Sequence, residues 1–220
     1  MPVTTAVALA VVPLAVYLYV LGLWHGGKHP RVVAGPVDLA WLGLGLSGLV
    51  AFGPFGRVVV GGLFGPTATP VAWGAWVAAL VLVAALYART GRRRLVIYHI
   101  GPGEANAVTA TSLAGSGAWI ETLHGFEDRG RRTSVALRPS ARTNTVVIEA
   151  QGDAAGEVMA ELRSQLGEQL RSIERPVSTL STAFFAASSL LLLAPVLTFL
   201  AFDPQGRKAF RTLARWVGWN

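Results

Sequence analysis

The chain has 220 residues, 52% of them hydrophobic and only 14% charged, against about a quarter charged in ordinary soluble domains. Its 19 basic and 12 acidic residues leave a net charge of +7, yet residues 95–172 hold seven arginines and nine acidic residues, so the positive excess sits in flanking segments and no nucleic-acid-binding face is expected. Cysteine is absent, which excludes disulfides, iron–sulfur ligation and cysteine-based zinc sites, and the lysine-poor, Ala-, Gly- and Arg-rich usage reads as a bacterial, GC-rich coding bias.

Thr4 to Trp24 runs for about 20 residues without a charge, enough to cross roughly 30 Å of hydrocarbon as a helix, with Tyr17, Tyr19 and Trp24 suited to its interfacial belt. Met1 to Thr5 carries no basic residue and no small-x-small cleavage site follows, so an uncleaved span, kinked at Pro13, is expected in place of a signal peptide. His25 and His29 have the spacing of metal ligands on a helix. Gly26, Gly27 and Pro30 make that stretch a loop, however, and with no third ligand nearby no metal site is assigned.

The second span is read at 37–53. Asp38, the only acidic residue in the apolar segments, stands near its start, where a carboxylate caps free amides or touches the headgroup layer. The stretch 54–66 contains Gly61 and Gly62 and reads as a membrane-surface loop, with a re-entrant piece as the alternative. A third span over 71–88 ends abruptly in Arg89, Arg92, Arg93 and Arg94. Small residues four apart (Gly43 and Ser47, Gly74 and Ala78, Ala75 and Ala79) suit close packing of membrane helices.

Residues 89–177 have the pattern of a small soluble domain. Leu95 to Ile100 is β-branched and aromatic, hence a strand, and Gly101-Pro102-Gly103 ends it as a plain turn that lacks the spacing of a phosphate loop. A weakly amphipathic helix follows over 104–116, then strands over 118–123, 133–138 and 144–150. From 154 to 174, Val158, Leu162, Leu166, Leu170 and Ile173 recur at helical spacing and form one apolar stripe. The order strand, helix, three strands, helix predicts an α+β layer, an antiparallel or mixed sheet with helices on one face.

The fourth span, 178–202, is uncharged and crosses once, with Pro195 as a possible kink. Its hydroxyls (Ser178, Thr179, Ser181, Thr182, Ser188 and Ser189) either line a path for a polar solute or bond to their own or a neighbouring helix. In the tail, 203–220, Arg207, Lys208, Arg211 and Arg215 fall on one side of a helical wheel and Phe210, Leu213, Ala214 and Val217 on the other. With Trp216 and Trp219 this is the composition of a helix lying on anionic headgroups. Arg92, Arg93 and Arg94 join these tail residues as candidate membrane-interface residues.

The expected architecture is therefore a multi-pass α-helical membrane protein with four transmembrane helices, arranged 3+1 around an inserted α+β domain. No residue is assigned to catalysis or to a cofactor, because no Gly-x-Ser-x-Gly elbow, His-Glu-x-x-His helix or Gly-Lys-Ser/Thr loop is present. The functional expectation is a non-catalytic membrane-anchored scaffold or interaction protein of the bacterial inner membrane, whose domain contacts a protein partner or larger membrane complex. A small transport component is the alternative, then a membrane enzyme. With the domain in the cytoplasm, eight flanking basic residues (Lys28, Arg31, Arg89, Arg92, Arg93, Arg94, Arg171 and Arg175) lie inside against five outside, Arg57 and the four of the tail. That orientation places the tail on the outer leaflet.

Overall fold

The computed structural model describes residues 3–53, 58, 62, 70–115, 118–123, 125–140, 142–205, 207, 208 and 212. In chain order the elements are α1 (Val3–Gly26), β1 (Arg31–Ala34), α2 (Gly35–Phe52), α3 (Pro70–Thr90), β2 (Arg94–Tyr98), α4 (Pro102–Ala114), β3 (Trp119–Thr122), β4 (Gly125–Asp128), β5 (Thr133–Ser140), β6 (Thr145–Gly152), α5 (Ala155–Gln169) and α6 (Thr179–Phe202). Short 3-10 turns at Gly91–Arg93 and Leu170–Ser172 lead into β2 and out of α5. Among the described residues four helices, α1, α2, α3 and α6, are long and apolar enough to cross a membrane. Most of the stretch 54–66 and most of the tail fall outside the described residues.

Two compact units result. The first comprises the described residues of 1–20, 42–83 and 184–220. Here α2 approaches α1 through Gly45 and Gly48: a Cβ at Gly45 would lie 2.6 Å from Tyr17 Cβ, and one at Gly48 only 2.4 Å from the Leu9 carbonyl oxygen. That carbonyl is four residues before Pro13, so proline has left it without its intrahelical donor, and the bare Cα of Gly48 comes up against it. Gly45 and Gly48 are thus close-packing glycines of this unit. Gly74, by contrast, has nothing within 4 Å of a would-be Cβ, which corrects the expected role of its small-residue pair. Ser188 on α6 donates to the Ala15 carbonyl at 2.8 Å, and Tyr19 and Phe185 bring their ring centres to 5.2 Å.

The second unit comprises residues 21–41 and 84–183 and contains a fully antiparallel six-stranded sheet in the order β1-β2-β6-β5-β4-β3. Two of its strands correct the expected strand, helix, three strands, helix. β4 is only four residues, Gly-Phe-Glu-Asp, too short and too polar to register as a hydrophobic run. β1 comes from the connection between the first two spans and pairs Ala34 with Leu95 and Arg31 with Tyr98. One face of the sheet carries Leu95, Ile97, Phe126, Val135, Val146 and Ile148, packed under Leu113 of α4 and Val158, Leu162, Leu166 and Leu170 of the closing helix. α5 and its 3-10 turn end at Ser172, two residues earlier than expected, with the predicted apolar stripe facing the core.

β2 is buried on both faces from Leu95 to Tyr98. Its second cover is the last turn of α1 and the first turn of α2, so helices lie on both sides of this part of the sheet and not on one. His25 belongs to that last turn of α1, which corrects its assignment to a loop.

Candidate functional site

Arg94, Val96 and Tyr98 alternate along β2 and project on the sheet face away from α4 and α5. Because β1 pairs antiparallel with β2 and α2 begins at the next residue, the first turn of α2 is laid over that face. Asp38 in this turn is 7% exposed and accepts a short hydrogen bond from the Tyr98 hydroxyl, itself on a residue 6% exposed. The other carboxylate oxygen lies 3.7 Å from a terminal nitrogen of Arg94. A carboxylate in the first turn also sits at the positive end of the helix dipole. Asp38 therefore serves a tertiary contact in place of the amide cap or headgroup contact expected from its position. The Tyr98 ring is flanked by Trp24, centres 4.9 Å apart, and meets His25 edge-on at 5.3 Å. Trp24 is accordingly buried and not an interfacial anchor.

The segment after α5 is pinned to the same region. His29 Nδ1 donates to the Ile173 carbonyl at 3.0 Å, the Arg175 amide donates to the Lys28 carbonyl at 2.8 Å, and His99 Nε2 donates to the Pro176 carbonyl at 3.0 Å. The Arg175 guanidinium closes on Glu104 of α4. Burial pushes the His99 pKa below the usual imidazole range and the charge of Arg175 adds to this, partly offset by the bond to Pro176. His25 and His29 are thus committed to packing and to a carbonyl, and among the described residues no group of three His, Cys, Asp or Glu side chains could hold a metal.

Gly35 and Gly91 bring the start of α2 against the end of α3, backbone to backbone: a Cβ on Gly35 would lie 2.4 Å from the Gly91 carbonyl oxygen. Beside this contact is a half-open cavity of about 290 Å³ lined by Leu39, Gly91, Arg93, Arg94, Glu149 and Gln151. Of the candidate membrane-interface residues, the structure brings Arg93 and Arg94 together at this cavity, while Arg92 is exposed beside it. Arg207 and Lys208 are exposed on helical backbone beyond α6. Arg211, Arg215, Trp216 and Trp219 lie outside the described residues.

Four hydroxyls of α6 make packing bonds. Ser181 donates to the Gly22 carbonyl at 2.8 Å, as Ser188 does to Ala15, while Ser189 and Thr198 bond back to their own helix.

At the far edge of the sheet, β3 pairs with β4 on one side and, among the described residues, with nothing on the other. Ile120 is 50% exposed and Leu123, just past the strand, 92%. The opposite edge differs in kind, since β1 opens with Arg31 directly after Pro30, residue types that blunt an edge, and runs straight into α2. That 118–123 forms a strand was legible from residue type. That it stands at an edge was not, because strand order depends on β1 and β4.

Comparison with protein-family models, curated proteins and solved structures found no match.

Proposed function

We propose that the chain is a membrane-anchored interaction protein of a bacterial inner membrane, with its domain on the cytoplasmic side, and that β3 takes up an extended segment of a protein partner as a further strand. The observation that carries this reading is the bare β3 edge. A row of unpaired backbone N–H and C=O groups is a template for strand addition, and Ile120 and Leu123 supply exposed apolar contacts beside it. Glu121 and Glu127 are exposed on β3 and β4, and residues 118–128 contain no Lys or Arg, so the added strand is one that carries basic side chains. The pinned contacts around Asp38, Gly35 and His29 tie the domain to the ends of α1 and α2, which gives the edge a defined attachment to the bilayer.

The test is a photoreactive side chain at Ile120 or Leu123 in cells that express the chain at native level, with Arg142, exposed in the turn before β6, as the control position. The reading expects a discrete adduct of another protein at 120 and 123, absent at 142, with the adduct at 123 lost when Ile120→Lys is added. Adducts only at the mass of a dimer of this chain, or equal adducts at all three positions, would overturn it.

A further inference from the structure

We infer that the cavity beside Arg93 and Arg94 is a binding site for the phosphate of an anionic lipid headgroup. Its place comes first. Gly91 closes the span that ends at Arg93, and Leu39 stands in the second turn of the span that starts at Gly35. The cavity thus opens where two spans end, at the depth of the headgroups on the domain side. Its volume of about 290 Å³ is at the small end of ligand pockets, room for a headgroup while the acyl chains stay in the bilayer.

The chemistry of the lining points the same way. Arg94 Nε is buried and has no hydrogen-bond partner among the described residues. The 3.7 Å from its terminal nitrogen to one oxygen of Asp38 is a charge contact too long for a hydrogen bond, and the other oxygen of Asp38 is taken by Tyr98. The Arg94 side chain is 32% exposed and lines the cavity, so its guanidinium, poorly satisfied from the protein side, is open to an acceptor there. Arg93 is exposed and has no carboxylate partner among the described residues. Glu149, the carboxylate in the lining, is held by Arg138 at 3.1 Å, and its charge is thereby answered. An anion with several acceptor oxygens matches two arginines that line one cavity, and a phosphodiester does so at this depth. Leu39 offers apolar contact to the glycerol end, and Gln151 a neutral polar group to the headgroup.

This site is independent of a partner at β3, and its failure would leave that reading untouched. The experiment uses the full chain taken from vesicles of phosphatidylcholine with a minor share of phosphatidylglycerol, with retained lipids counted by native mass spectrometry as the detergent is stripped. The wild type is expected to keep one phosphatidylglycerol after phosphatidylcholine has gone. Arg93→Gln should lower that retention about ten-fold, the equivalent of one charge-assisted hydrogen bond. Gln151→Trp, which fills the cavity from an exposed strand position, should lower it as well. Arg92→Gln, next in sequence but outside the lining, should leave it unchanged. Equal loss with Arg92→Gln would mean diffuse attraction to a basic surface and would overturn the site. So would displacement by millimolar inorganic phosphate, which would assign the cavity to a free anion, or equal retention of phosphatidylcholine.

Discussion

Asp38 and Tyr98 show how much a single contact can carry. Sixty residues separate them, and each has a plain local explanation, an acid near a helix start and an aromatic in a strand. Only the fold brings the hydroxyl to the carboxylate, in a place with too little water for either to do without a partner. Tyr98→Phe leaves the Asp38 carboxylate buried with the Arg94 guanidinium facing it at 3.7 Å and no hydroxyl donor. The expected cost is about 1–3 kcal/mol of domain stability, more than a surface tyrosine could matter. Protease resistance of the domain against temperature, in the full chain in detergent, measures it; identical curves for variant and wild type would show the bond to be idle. The sequence did flag Asp38 as the lone acid among apolar residues, and an unexplained charge in an apolar segment is the signal to follow. Arg94 was read as one of an arginine cluster, whereas its position two residues before Val96 on one strand face sends it to Asp38.

At the scale of elements, the spans were legible and their partners were not. Apolar length is a sum over neighbours in the chain, and all four helices begin and end within two residues of the expected spans. Packing depends on which face meets which, and there the spacing of small residues misled. Small residues four apart were taken as the signal, but Gly45 and Gly48, three apart, come up against α1, and Gly74 meets nothing. Gly48→Ala is expected to force α1 and α2 apart, because its new Cβ falls 2.4 Å from Leu9 O and 2.7 Å from Ala10 O, both backbone atoms that cannot swing aside. The cost is about 1–3 kcal/mol, read as a lower melting temperature in detergent. Gly74→Ala meets nothing and is expected to be neutral or to stabilise by up to about 1 kcal/mol through helix propensity. The reverse ranking would place the tight helix contact on α3. Ser181 and Ser188 add a second lesson: two turns apart on α6, they reach Gly22 and Ala15, also two turns apart on α1. Hydroxyl composition alone left open whether they bond to helices or line a path.

For the whole molecule, the decisive observation is that β1 belongs to the sheet. That agrees with the topology in which each of the four spans crosses once: it puts the first connection and the domain on one side of the bilayer and residues beyond Phe202 on the other. Which side is inside rests on basic residues near the spans, which favour a cytoplasmic domain. The chain has no cysteine, so Arg142→Cys in the turn before β6 and Gln205→Cys beyond α6, both exposed, can be labelled separately with an impermeant thiol reagent. Intact cells are expected to label at 205 and not at 142, and permeabilised cells at both. Labelling at 142 alone reverses the orientation, and labelling at both in intact cells refutes the single crossing.

The sequence by itself determined that four segments are apolar enough to span, that an α+β region stands before the last of them, and that Leu162 and Leu166 face its core. Each of these is a local property, set by composition or by the period of a helix or strand. The tertiary structure alone decided that Arg31–Ala34 is an edge strand, that β3 is the opposite edge, that Tyr98 meets Asp38, and that Arg93 and Arg94 share a cavity with Glu149. Those are pairings between distant segments. The free energy that selects them comes from burying both faces of β2 and from satisfying backbone groups across the sheet, terms that no window of neighbouring residues contains.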